Sequence, residues 1–378
     1  MNGLSPVAEL LLELVAIDST NPSLVPGGAG EQELAQAVAR RLTAGGFELD
    51  VWEVEPDRPN LVARLPGAGG GPSLMLCGHS DVVGSSPEAF RPRVEGGRLY
   101  GRGALDMKGG LAAAVVAMER LAAGPRLAGD VLFALCVDEE WRSSGAEALV
   151  QRHAAAAAIL PEPTDLGVVV AHGGFAWYEL VSEGAEAAGD DPERGVDAIS
   201  LFGPVLSGLA ELDRRLDEGG RVAGCRGSVH ASTIEGGASY PSYPSRCTLG
   251  VERCLIPGES VETSDEEIRA LVEEAARADS RFRGSWRLIV GRDPIEVGAA
   301  EPVVAALVEA AAEELGREVA TRFDMGWMDS GILVEAGIPC VAFGPAGFGE
   351  HTAEEWVDLQ SLDVCSRVLE AAARRFCV

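Results

Sequence analysis

Positive charge is scarce in this 378-residue chain. There is one lysine, Lys108, and every other strongly basic residue is arginine; 31 basic residues face 59 acidic ones, for a formal net charge of −28. That deficit argues against nucleic acid or an anionic membrane as a partner held by general electrostatics. The lack of lysine reads as genome composition more than function. No run is long and apolar enough to span a bilayer. Val7 to Ile17 is interrupted by Glu9 and Glu13 and reads as an amphipathic helix. The opening Met1-Asn2-Gly3-Leu4-Ser5-Pro6 has no basic segment before an apolar one, so a signal peptide is not expected. The eight cysteines include no CxxC pair. Cys77, Cys136 and Cys340 lie in apolar strand-like runs, where a free buried thiol is expected. A reduced, cytoplasmic setting follows.

What is present is ordinary globular composition, 47% hydrophobic and 24% charged. The length admits two domains. Strand and helix signals alternate through about the first 170 residues. Helical periodicity covers Glu31 to Ala44 and Leu111 to Ala123, each closed by glycine; strands are expected from Phe47 to Val54 and Leu61 to Leu65. Near residue 175 the pattern changes to strand, helix (about 197–216), strands, then an acidic helix (about 265–278). From about 291 the first pattern returns, with helices at Pro302 to Leu315 and Leu359 to Phe376 and an apolar turn around Gly331 to Ile338. The reading is an α/β domain, 1–174 with 291–378, interrupted by a smaller α+β domain, 175–290.

Four short apolar runs lead into metal-type donors. Leu74 to Gly78 meets His79-Ser80-Asp81. Val131 to Val137 meets Asp138-Glu139-Glu140. Ala157 to Leu160 meets Glu162, and Val341 to Pro345 leads through a glycine-rich loop to His351. Open α/β sheets bind ligands beyond the carboxyl ends of their strands, so the repetition points to one shared site. His79, Asp106, Glu140, Glu162 and His351 are N and O donors that suit zinc, cobalt or manganese. Asp106 lies in the glycine-rich Gly101 to Gly110 segment, whose tight turns can bring a short carboxylate close to two ions. Asp81 can orient the His79 imidazole. Glu139, beside Glu140, can take a proton from water.

These segments resemble the M20 family of metallopeptidases and amidohydrolases. The resemblance is carried by Gly78-His79-Ser80-Asp81-Val82-Val83, by Gly101-Arg102-Gly103 through Asp106-Met107-Lys108-Gly109-Gly110, and by Asp138-Glu139-Glu140. Pro161-Glu162-Pro163-Thr164 and Gly344-Pro345 through His351-Thr352 with Glu355 complete it. It implies a zinc-exopeptidase-like mixed-sheet catalytic domain and two divalent ions, usually Zn2+. Asp106 would bridge them, His79 and Glu162 completing one site and Glu140 and His351 the other. Asp81 would orient His79. Glu139 would be the general base for a metal-bridging water that attacks an amide carbonyl. The 175–290 domain would be a lid that also forms a homodimer.

The lid departs from that pattern. The family's carbonyl-polarising histidine falls at Ala188, its asparagine at Pro241, and its carboxylate-gripping arginine at Cys254, next to Arg253. Loss of one oxyanion donor lowers kcat by roughly 10²–10³-fold, so His230 and His172 become candidate substitutes, with Arg253 a candidate substrate contact. His153 reads as structural. The leading expectation is hydrolysis of the C–N amide bond of a small N-acyl amino acid or dipeptide-like molecule. A second reading keeps the scaffold but makes amides or eliminates across a C–N bond. A third is a non-catalytic binding protein, against which the full donor set argues.

Overall fold

The computed structural model describes residues 3–378. The chain divides into two compact units: residues 3–170, 297–322 and 328–378 form the first, and Ala171–Glu296 with Phe323–Trp327 form the second. Thus the inserted unit starts and ends a few residues outside 175–290, and a short return segment at 323–327 belongs to it.

The first unit is built on a mixed sheet. Its strands run in the order Glu48–Glu55, Arg58–Leu65, Val131–Cys136, Leu74–His79, Ala157–Leu160, Cys340–Ala342, Val168–His172, the last leading the chain into the second unit. The four apolar runs singled out above are its four adjacent central strands, all parallel to one another. Buried on both faces, they can be apolar at successive positions, as Val131–Cys136 and Leu74–Gly78 are. The flanking strands are antiparallel and exposed to different degrees, as the alternation in Glu48–Glu55 shows. Parallel strands share a direction, so their carboxyl ends gather at one edge of the sheet.

Helix Lys108–Ala123 is buried through most of its length. Its Ala- and Gly-rich sequence permits that, because small side chains let a helix lie close to its neighbours. A Cβ on Gly110 would stand 1.9 Å from the Pro161 carbonyl oxygen. Gly344 is under the same constraint from the other side, 2.0 Å from the Glu162 carbonyl oxygen. The loop bearing Glu162 is therefore clasped between two glycines. The segment expected as a turn from Gly331 to Ile338 is instead a short helix, Ser330–Glu335, closed by Gly337 at φ 83°. Its apolar residues face inward, and its six-residue length hides helical periodicity in the sequence.

The second unit is a four-stranded antiparallel sheet, ordered Ser228–Gly236, Arg246–Leu255, Gly174–Glu183, Arg283–Arg292. Helices Gly203–Glu218 and Val261–Ala278 cover one face. Ala176, Tyr178 and Leu180 point into the core with Phe202, Leu249, Ile268 and Phe282, while Trp177 and Glu179 alternate outward. The helix expected from 197 begins later. Asp197 accepts from the amides of Ile199 and Ser200, a 3-10 turn follows, and the α-helix starts at Gly203 with Pro204 in its first turn.

Candidate metal centre

The donors converge at the carboxyl edge of the four parallel strands, all within the first unit. His79 is the last residue of its strand. Glu139 and Glu140 follow Val131–Cys136 in a turn where Asp138 takes φ 69°. Glu162 follows Ala157–Leu160. Asp106 sits just before helix Lys108–Ala123, joined to Met107 by a cis peptide bond.

Two sets of donors form. In one, His79 Nε2 lies 3.1 Å from Asp106 Oδ1 and 3.9 Å from Glu162 Oε1. In the other, His351 Nε2 lies 3.1 Å from Asp106 Oδ2 and 3.0 Å from Glu140 Oε2. Asp106 offers a different oxygen to each set. Two donors bound at zinc distances in a tetrahedral site stand about 3.3 Å apart, so these spacings suit an ion in each set. Glu162 Oε1 is buried without a hydrogen-bond partner, the state of an oxygen whose intended partner is a cation. The residues present therefore fit two divalent ions.

The charges make the same point. Burial drives the Glu162 and Glu139 carboxyls well above the ordinary carboxylate range; His79 opposes this, and neighbouring carboxylates, Asp329 among them, add to it. Burial also pushes Asp106 up, but hydrogen bonds from His351 and His79 outweigh it and hold the group low. The Asp106 and Glu140 carboxylates raise His351 to about 10. So many acids in one buried place require compensating positive charge, which the two histidines supply in part and divalent cations can supply in full.

Glu139 Oε2 stands 3.9 Å from His79 Nε2, beside the first set. Asp81 does more than the sequence suggested. The closest partner of His79 Nδ1 is the Asp81 backbone carbonyl at 3.0 Å, with the carboxylate Oδ1 at 3.5 Å. The carboxylate chiefly accepts the amides of Glu139 and Glu140, each at 3.1 Å. Glu355 does the equivalent work for Asp106: it accepts the amides of Gly103, Leu105 and Asp106 and pairs with Arg102 at 2.6 Å. Lys108 is buried, donates to the Ile17 carbonyl at 2.7 Å, and is lowered to about 7 by burial.

The three candidates for substrate contact belong to the second unit and differ in character. His230 is half exposed on the edge strand, 3.5 Å from Glu252. His172 is buried, with Nδ1 2.7 Å from the Gly173 carbonyl and its ring edge-on to Trp327; burial lowers it to about 4. Arg253 does not offer itself to a ligand. Its side chain is buried against Glu259, Glu267 and the Cys254 carbonyl, because its position on the strand points it under the helices. His153 pairs with Asp50 at 2.9 Å and lies against Trp52.

Sequence reasoning missed Asp329, buried at the start of Ser330–Glu335 and close enough to influence Glu139 and Glu162. The signal available was Asp-Ser-Gly opening a helix. It also missed Asn21, which donates to Asp81 at 2.8 Å; an asparagine before proline reads only as a turn.

Paired donor sets that share one carboxylate are the arrangement of two-metal hydrolases. The chain belongs to peptidase family M20/M25/M40, whose family model matches residues 75–375. It is accordingly an enzyme of the metal-dependent peptidase and amidohydrolase kind. It is 31% identical to the acetylornithine deacetylase of Myxococcus xanthus over 97% of this chain and 96% of that protein. It is 27% identical to the N-formyl-4-amino-5-aminomethyl-2-methylpyrimidine deformylase of Bacillus subtilis, over 96% and 93%. A solved dinuclear metal-binding peptidase of the M20 family, from Bacillus subtilis, shares the fold with a TM-score of 0.73 at 18% identity, covering 98% of each chain. No helix among the described residues is long and apolar enough to cross a membrane.

Proposed function

We propose that this enzyme hydrolyses the amide bond of a small N-acyl amino acid or related acylated amine at a two-ion centre. The observation that carries this is Asp106, whose two oxygens serve two donor sets beside the carboxylate of Glu139. When bound, two divalent ions, Zn2+ first and Co2+ or Mn2+ as alternatives, supply polarisation of the acyl carbonyl and acidification of water. His79 and Glu162 would hold one, Glu140 and His351 the other, with Asp106 offering an oxygen to each set. Glu139 takes the proton from the attacking water onto a carboxylate oxygen and returns it to the leaving nitrogen as the C–N bond breaks. Burial raises this carboxyl, which strengthens it as the acceptor in the first of those transfers. Asp81 holds the Glu139–Glu140 turn and His79 in place. By their names the two relatives remove an acetyl and a formyl group, which supports an amide class and leaves the acyl group open.

The second unit is the lid in this reading. Its edge strand Ser228–Gly236, exposed along most of its length with Ile234 55% exposed, is the surface for a second copy of the chain. All eight cysteines are free, in keeping with a cytoplasmic enzyme.

One observation favours the second reading, a non-hydrolytic step on the same scaffold. Ala188, Pro241 and Cys254 place no charged or amide side chain where the resemblance implies one; Ala188 bridges Ser242, and the Pro241 carbonyl accepts from Gly189. The test is to load the protein with Zn2+ or Co2+ and follow N-acetyl, N-formyl, N-succinyl and dipeptide substrates by product analysis. Free amine and free acid in equal amounts, lost in Glu139→Gln with metal still bound, support hydrolysis. Two bound ions with no amide cleaved would transfer support to the second reading.

A further inference from the structure

Beneath the turn that bears Glu139 and Glu140 runs a buried polar chain of which the roles above use only Asp81. Asn21 is fully buried. Its side-chain nitrogen donates to Asp81 Oδ2 at 2.8 Å and to Asp138 Oδ1 at 3.1 Å. Asp138 Oδ1 also accepts from Arg58 Nη2 at 3.0 Å, and Arg58 is itself paired with the buried Glu31. On the far side, Asp81 accepts the amides of Glu139 and Glu140.

The chemistry at the centre of this chain is selective. Two carboxylates approach one point, and each needs a hydrogen. A side-chain amide has two on one nitrogen; a serine has one, and an ionised aspartate none. The amide cannot turn over without loss, because its oxygen accepts from the Ser23 amide at 2.8 Å. The Asn21 backbone is also fixed, its amide donating to the Val82 carbonyl at 3.0 Å, one residue from Asp81. Asp138 is held in a left-handed conformation, φ 69°, that few aspartates adopt unaided.

We propose that Asn21 is a positioning residue: by tying Asp81 to Asp138 it sets the direction of the Glu139 and Glu140 side chains. This rests on the two-ion reading above. It also makes the two donor sets unequal. His79 Nδ1 leans first on the Asp81 backbone carbonyl at 3.0 Å, and its longer contact, 3.5 Å, is to Oδ1, whereas the Asn21 side chain bonds Oδ2. Glu140 depends on that same Oδ2.

The experiment is a Co2+ titration, by calorimetry and visible absorption, of the full chain and its Asn21→Ala variant, with melting temperature and kcat and KM alongside. Asn60→Ala is the comparison. Asn60 is equally buried and holds the same turn through the Val137 amide at 3.1 Å and the Gly145 carbonyl at 2.8 Å, yet bonds neither Asp81 nor Asp138. Asn21→Ala is expected to weaken one Co2+ equivalent by roughly 10–100-fold, the usual effect of losing a group that orients a ligand, and to leave the other nearly unchanged. Its kcat falls with KM nearly constant. Asn60→Ala lowers the melting temperature without that split. Should Asn21→Ala not fold, Asn21→Ser, which has one hydrogen for two carboxylates, is read the same way. Equal weakening of both equivalents, or a lower melting temperature with both affinities and kcat intact, overturns the proposal. If the unaltered chain binds fewer than two ions, the two-ion reading has failed first, and the titration shows that separately.

Discussion

Gly110→Ala adds one methyl group at the base of the centre without touching any donor. The added carbon would stand 1.9 Å from the Pro161 carbonyl oxygen, 2.8 Å from its carbonyl carbon and 3.0 Å from its Cβ. Helix and loop must separate by roughly 1.5 Å to restore normal contact distances. The helix is poorly placed to yield, because Gly109 already faces the Ala104 carbonyl oxygen at 2.5 Å from a would-be Cβ, and residues 111–118 are buried. The Pro161-Glu162 loop therefore moves, and Glu162 with it. Overpacking of this kind costs about 1–3 kcal/mol of stability. A misplacement near 1 Å costs about 100-fold where geometry governs function. The set containing Glu162 is expected to lose metal affinity by about that factor, while the Glu140–His351 set keeps its own, the reverse of the Asn21→Ala pattern. Calorimetric titration reads both affinities, and thermal melting reads the stability. Two equivalents bound at the unaltered affinities, with kcat within about 2-fold, would show that the glycine does not space the Glu162 loop.

His172 gives a pH prediction. Burial lowers it from 6.5 to about 4, so the unfolded chain binds its proton first as pH falls. The stability it contributes is full above pH 6.5 and is lost between 6.5 and 4, amounting to roughly 3 kcal/mol at 1.36 kcal/mol per pKa unit. His172→Gln should flatten urea midpoints over that window, followed by tryptophan fluorescence beside Trp327; an unchanged pH slope refutes the assignment. For the edge strand Ser228–Gly236 of the second unit, the proposed dimer surface, Ile234→Lys is expected to give monomer in light scattering where the unaltered chain gives dimer; an unaltered chain already monomeric at micromolar concentration refutes that surface.

The parallel strands were legible because both their faces are buried, which leaves unbroken apolar runs ending in polar donors. His79, Glu140 and Glu162 follow directly from those strand ends. Helices Pro302–Leu315 and Leu359–Phe376 were legible to the residue, since proline opens the first and Asp358 caps the second. Legibility ended where a role depends on partners distant in sequence. Nothing local in Asp138 separates it from Glu139, yet one is tied down by Arg58 and the other lies beside His79. Arg253 looked available because its neighbour replaced an arginine; strand alternation sends adjacent residues to opposite faces, and this one faces the helices.

The central claim is that Asp106 serves two ions at once. Metal stoichiometry by equilibrium dialysis and elemental analysis, on the unaltered chain and on Asp106→Asn, tests it most directly. The amide keeps the shape but loses one acceptor oxygen and the charge. Two equivalents are expected for the unaltered chain and weakened binding of both for Asp106→Asn. Two tightly held equivalents in Asp106→Asn, or a single equivalent in the unaltered chain, would contradict it.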